Sequence, residues 1–282
     1  MMRADFGITG KGYSMKIEVL GNVQDGGVPH LGCGCKTCEE AREKPRKRRY
    51  STSLLLKEDD EDDAVRYLID ATPDIRFQIN ATYLDGVFVP HSELGHITGL
   101  LYLGHEGIDA SKINVYCNEP VENFLMKNDP FRYLVDRENI EIQSFEEGDS
   151  CDVQGGEVEV REIPHSHISR NTASYMIKGE NKKLYYLGDI NEFNDDAIES
   201  IEEADIAIID GTFWSRDEID RFDEVPHPPI QESMEAMENI DTKIYFTHIN
   251  HTNPVLEENS EERKELEEKG FHIAEKGLEF QL

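Results

Sequence analysis

The sequence predicts a layered α/β fold in which helices cover one or two sheets. Short apolar runs of strand type alternate with segments of helical period along most of the 282 residues. Interspersed strands and helices of this kind bury their apolar faces by stacking in layers. At 38% hydrophobic content the chain is also long enough to bury a full core, in one large domain or two small ones.

Each element follows from its pattern. Lys16–Leu20, Ser53–Leu56, Tyr67–Ile69, Gly86–Pro90 and Ile113–Cys117 are short and apolar, as strands are. Glu157–Ile163, Ala173–Ile177, Lys183–Leu187, Ile206–Asp210 and Lys243–Phe246 continue the series. Helical period appears at Thr98–Leu103, Pro120–Met126, Asn194–Glu203, Ile230–Asn239 and Ser260–Lys269. The acidic segment Glu58–Asp63 separates two strand runs and predicts a charged hairpin tip. No repeat or linker divides the rest, so residues 15–282 are expected to form one domain behind a loose tail, 1–14, with Met15 a candidate start. The sequence has no apolar run of eighteen residues to span a membrane, and its first residues have no signal-peptide core.

Charge narrows the partners. With 29 basic and 59 acidic residues the net charge is −30, a surface that repels nucleic acid and anionic membranes. A solvated acidic surface is expected; its sharper form is adaptation to a salty, halophilic cytoplasm, where ions screen self-repulsion. Lys44–Arg49 is a basic island in this acidic chain. It is expected to pair with local acids, and the alternative is that it draws in an anionic substrate.

Cysteine usage points to metal. Cys33, Cys35 and Cys38 crowd one loop, with Cys117 and Cys151 elsewhere. This odd set is no disulfide framework and fits a reducing, cytoplasmic compartment. In Gly32-Cys33-Gly-Cys35-Lys-Thr-Cys38 a short glycine-rich loop lets three sulfurs face one tetrahedral zinc, which then needs a fourth ligand.

Four further segments place ligand-type side chains just after strand-like runs. They are His91-Ser-Glu93-Leu-Gly95-His96, Pro164-His165-Ser-His167, Gly188-Asp189 and His248-Ile-Asn-His251. Any one of these histidines alone reads more readily as a helix cap or a satisfied core residue. Together they differ, because a parallel or mixed sheet gathers its strand ends along one edge. Imidazoles converging on a carboxylate are what Zn, Mn or Fe ions require, so the expectation is a metal site.

At these residues the sequence resembles the metallo-β-lactamase superfamily, over nearly the whole chain from Met15. Within it the similarity is to the PqqB-type proteins of pyrroloquinoline quinone (PQQ) biosynthesis and to PhnP-like phosphodiesterases. Gly21–Pro29 with the cysteine knuckle looks like both, whereas Leu68–Ile75, Asp210–Trp214 with His227-Pro, and Thr247–Pro254 look like PqqB. The resemblance implies a four-layer αββα sandwich with metals at one edge. It makes Asp189 the bridging aspartate and His248 the last active-site histidine, and it puts a further ligand at His165 or His167, with His167 preferred by spacing. It also makes His251 the fourth ligand of the structural zinc. The superfamily loop reads His-x-His-x-Asp-His, so here Glu93 replaces a histidine and Gly95 replaces the aspartate.

The chemistry these expectations imply is hydrolysis by metal-bound hydroxide, on a phosphodiester or other anionic substrate. His91, His167 and Glu93 would hold one ion and His96 with His248 the other, Asp189 lying between them. The missing carboxylate at Gly95 predicts a weakened second site and close to one active-site ion. Asp189, His248 and His167 are the candidate catalytic residues. The alternative is a PqqB-type iron-dependent oxygenase acting on a tyrosine-derived or peptide substrate, since His96, His248 and Asp189 make a two-histidine, one-carboxylate set. A scaffold that has lost catalysis is the third reading, opposed by so many retained imidazoles. A homodimer is the generic expectation.

Overall fold

In a computed structural model, the strand runs assemble into two sheets of seven strands each. The structure describes residues 15–58, 65–80, 83–164, 171–225 and 227–282. The first sheet holds β1 (Lys16–Gly21), β2 (Ser53–Lys57), β3 (Arg66–Ile69), β4 (Gly86–Val89), β5 (Ile113–Cys117), β6 (Ile140–Ser144) and the late strand β14 (Glu279–Gln281). Their order is β14-β1-β2-β3-β4-β5-β6. The second holds β7 (Ser150–Val153), β8 (Gly156–Pro164), β9 (Asn171–Lys178), β10 (Lys183–Leu187), β11 (Ile206–Asp210), β12 (Lys243–Thr247) and β13 (His272–Ile273). It runs β13-β12-β11-β10-β9-β8-β7.

Each sheet is half antiparallel and half parallel. The parallel blocks are β3 to β6 and β10 to β13. Parallel neighbours all finish at the same edge, which is where such sheets place their sites.

Helices close the two outer faces. They are α1 (Lys36–Glu43), α2 (Ile75–Gln78), α3 (Leu94–Ile97), α4 (Glu119–Lys127), α5 (Phe131–Asp136), α6 (Asp195–Glu203), α7 (Ile230–Ala236) and α8 (Glu261–Glu268). Side-chain alternation along β10 shows why. Leu184 and Tyr186 enter the core between the sheets with Ile17, Leu54, Phe88 and Ile208. Tyr185 and Leu187 face the other way, packing with Ile201, Met234 and Leu266 of α6, α7 and α8. On the opposite side Leu55, Leu68 and Val87 pack with Val121, Leu125 and Leu134 of α4 and α5. The layers are therefore α, β, β, α. Strands covered on both faces read as unbroken apolar runs.

Some elements escaped the sequence patterns. α1 buries only Cys38 and Ala41 of its eight residues, too little for a helical stripe to show. Thr98–Leu103, expected as a helix, is a 3-10 segment, and a Cβ on Gly99 would press the Ala71–Thr72 backbone. β2 and β3 pair antiparallel, Leu54 opposite Ile69, as a hairpin across the acidic segment requires; residues 59–64 themselves lie outside the described residues, as does the expected tail 1–14. In the basic island, Arg49 pairs with Glu275 at 2.5 Å, an acid 226 positions away, and donates to the Leu256 carbonyl. No described helix is long and apolar enough to cross a membrane.

Candidate metal centre

Strand ends deliver the site. Asp70 follows β3, His91 follows β4, and the single turn of α3 carries His96. Asp189 follows β10, Asp210 ends β11, and His248 follows β12. One more carboxylate arrives from the turn after β1, where Asp25 sits. That turn is pinned on both sides: Gln24 N donates to the Ile249 carbonyl at 3.1 Å, and Ser51 Oγ donates to the Asp25 carbonyl at 3.1 Å.

The donor atoms converge. Asp189 Oδ2 lies 3.2 Å from His91 Nε2, 3.5 Å from His96 Nε2 and 3.7 Å from His248 Nε2. Asp25 Oδ1 lies 3.5 Å from both His96 Nε2 and His248 Nε2. The His91 and His96 rings are 4.1 Å apart, centre to centre.

The other ring nitrogens are occupied, which sets the tautomers. His96 Nδ1 donates to Asp70 Oδ1 at 2.7 Å, and Tyr186 Oη donates to the other oxygen of Asp70. Thr212 Oγ1 donates its proton to the His248 carbonyl at 3.0 Å, so it can only accept from His248 Nδ1, also at 3.0 Å. His91 Nδ1 is 3.0 Å from Thr172 Oγ1. With each Nδ1 engaged, each Nε2 turns its lone pair to the centre, as metal-binding histidines do. Asp210 stiffens the surround, accepting from Ile190 N at 3.2 Å and Thr212 N at 2.9 Å and pairing with His227 Nδ1 at 2.8 Å.

Two of these supports are costly backbone choices. Asp70 and His248 both have left-handed φ, at 67° and 57°, a conformation that non-glycine residues adopt mainly at constrained sites. Asp70→Asn keeps the shape but removes the charge behind His96. It should weaken metal binding by about 10–100-fold, measured by competition with a chromophoric chelator, while an unchanged affinity would dismiss the orienting role.

The residues fit metal ions. Asp25 Oδ1, His96 Nε2, Asp189 Oδ1 and His248 Nε2 are buried without a hydrogen bond among the described residues, an arrangement that normally costs free energy. Charge agrees. Burial disfavours the His96 imidazolium, yet Asp70, Asp189 and Asp25 together hold its pKa well above the usual value. Burial would raise Asp189, but His248, His91 and His96 keep it well below. Buried anions that can find stabilisation only by protonating their neighbours form a pocket that cations fill naturally. His227 responds similarly: burial lowers it, while Asp210 and then Asp189 and Glu93 carry it up to about 9.

A second centre lies beside the first. Sγ of Cys33, Cys35 and Cys38 and a ring nitrogen of His251 lie within 4.8 Å of one another, with His251 Nδ1 3.5 Å from Cys33 Sγ and 3.6 Å from Cys35 Sγ. Burial, then the adjacent His30, lowers the His251 pKa, favouring the neutral imidazole that ligates. The donor set, three thiols and one imidazole, suits zinc.

The sequence expectations fare unevenly. His91, His96, Asp189 and His248 are brought together, and so are the knuckle residues. His165 and His167 lie outside the described residues. Glu93 does not join the converging donors of the described groups. It precedes α3 and stays partly exposed, because the turn that follows aims His96 inward instead. The space beside Gly95 is taken by Asp25: a Cβ built at residue 95 would fall 2.1 Å from Asp25 Oδ1. Asp25, Asp70, Asp210 and His227 went unrecognised as site residues, although Asp70 and Asp210 carry the same strand-end signal as Asp189.

The likeness to known proteins follows the same geometry. The family described as Beta-lactamase superfamily domain matches residues 65–249, about two thirds of the chain. The chain belongs to the metallo-β-lactamase superfamily. Within that superfamily it is 30% identical over 311 aligned residues to "Coenzyme PQQ synthesis protein B" of Methylococcus capsulatus, covering 95% of this chain and 100% of that one. Among solved structures, Zn(2+)-bound PqqB from Methylobacterium extorquens matches with TM-score 0.84 at 23% identity, covering 95% of this chain and 100% of that chain. A diphosphatase of the PhnP family matches with TM-score 0.73 at 24% identity, covering 95% and 97%. Both structures share the fold.

Proposed function

We propose that this protein is a metal-dependent hydrolase that activates water against an anionic substrate, with a phosphodiester as the candidate class. The observation that carries the reading is Asp189. Its Oδ2 lies within 3.7 Å of the Nε2 atoms of His91, His96 and His248, so one carboxylate is within reach of every imidazole of the centre and would suit sharing between ions. When bound, divalent cations supply Lewis acidity and bring coordinated water to a pKa of about 7. His91 and Asp189 would hold one ion, and His96, His248 and Asp189 the other. His227 has Nδ1 held by Asp210, which leaves Nε2 to pass a proton to a leaving-group oxygen. Arg48 lines a groove with Gly26, Gly27 and Tyr50, where Gly26 directly follows Asp25 in the chain, and would offer a cation to the substrate's negative charge.

A second reading has its own support. Asp25, His96 and His248 form a compact group of two imidazoles and one carboxylate, which suits non-haem iron. With the similarity to a coenzyme PQQ synthesis protein, this favours an iron-dependent oxygenase of quinone cofactor biosynthesis. The experiment is to load the purified protein separately with Zn, Mn and Fe(II). Hydrolysis of bis(p-nitrophenyl) phosphate by the Zn or Mn form is expected. Oxygen uptake confined to the Fe(II) form, with no ester cleavage by any form, would replace the first reading with the second. In either case we place the protein in a cytoplasm, with the acidic surface suited to high salt.

A further inference from the structure

We propose that Asp25 is the carboxylate ligand that position 95 has given up, so that residues 25 and 95 are a coupled pair supplying one metal-binding oxygen between them. The inference rests on the metal-centre reading above and goes beyond it in assigning both residues.

Three observations carry it. First, Asp25 Oδ1 stands 3.5 Å from the ring nitrogens His96 Nε2 and His248 Nε2, and all three atoms are buried without a hydrogen bond among the described residues. A carboxylate oxygen and two imidazole lone pairs facing one point are three ligands for one cation. Second, the space is shared. A Cβ on Gly95 would sit 2.1 Å from Asp25 Oδ1 and 2.6 Å from its Cγ, so a side chain at 95 and the Asp25 carboxylate exclude one another. Glycine stands at 95 because Asp25 needs the room. Third, the loop holding Asp25 is anchored to the loop holding His248 through Gln24 N and the Ile249 carbonyl. The β1 turn is therefore tied to the loop that carries His248.

The consequence is that the second ion keeps an anionic ligand. Two active-site ions plus the knuckle ion are expected, three per chain, where the bare loop pattern around Gly95 implied about two.

Metal content read by plasma mass spectrometry, after dialysis against excess zinc and then metal-free buffer, tests this without any turnover assay. The wild type should retain three zinc ions per chain and Asp25→Asn two, with the knuckle still filled. Gly95→Ala should behave like Asp25→Asn, since its methyl group displaces the carboxylate. Manganese-loaded wild type offers an independent measurement that needs no variant: a spin-coupled pair in its electron paramagnetic resonance spectrum is expected. An uncoupled, single active-site manganese in the wild type would overturn the proposal. So would a full three ions in a folded Asp25→Asn or Gly95→Ala protein. Loss of one ion from Asp25→Asn, in a protein that hydrolyses no ester, would uphold this inference while removing the hydrolase reading. Ester hydrolysis with unchanged metal content in Asp25→Asn would do the reverse.

Discussion

Asp189→Ala should abolish turnover, by at least about 10³-fold, while leaving the knuckle zinc in place. The size follows from what the carboxylate touches. Among the described residues it is the carboxylate that approaches His91, His96 and His248 together, so its loss should loosen the whole centre. Lewis-acid stabilisation of a transition state is worth several kcal/mol, and about 4 kcal/mol is a thousandfold in rate. Removing Asp189 also leaves buried imidazoles without the anion that balances them, which costs further free energy. The measurement is kcat/KM in whichever assay registers wild-type activity, beside zinc content. Undiminished turnover in a variant that still carries its knuckle zinc would remove Asp189 from the reaction.

Cys35→Ser should release about one zinc per chain and lower the melting temperature. Here the effect is on folding. The knuckle ties the loop before α1 to His251, 216 positions later, and so joins the start of the first sheet to the end of the second. A structural zinc contributes its binding free energy to folding. Losing a metal belongs among the few single changes that exceed about 4 kcal/mol, and at about 2–4 °C per kcal/mol for a chain of this size the melting point should fall by roughly 8–16 °C. His251→Ala should match it. The active-site ions should stay, because none of their ligands belongs to the knuckle. Full zinc and an unchanged melting curve in Cys35→Ser would show that the cluster holds no metal.

The sequence by itself determined the layers and half of the site. Strands such as β10 and β11 are legible because both of their faces are buried, so they need no partner to be recognised as apolar runs. The edge strands β7 and β14 lack that continuity, and α1 is polar on nearly every side, which is why pattern alone passed over them. The histidines of the centre were legible for a related reason: each follows a strand, and the parallel blocks bring strand ends to one edge. Asp70 and Asp210 obey the same rule. They were hidden only because an aspartate closing a strand is common and carries no metal signature without the imidazole it supports.

Tertiary structure alone decided what happens at Gly95. Read locally, the loop from His91 to His96 has lost a ligand, and no property of those six residues restores it. The restoration comes from Asp25, 70 positions earlier, through a turn held between Ser51 and Ile249. Local sequence sets which side chains a strand end can offer. Which of them share a single cavity, and which glycine must stay bare to admit another chain segment, depends on contacts between distant segments, and those exist only once both sheets have packed.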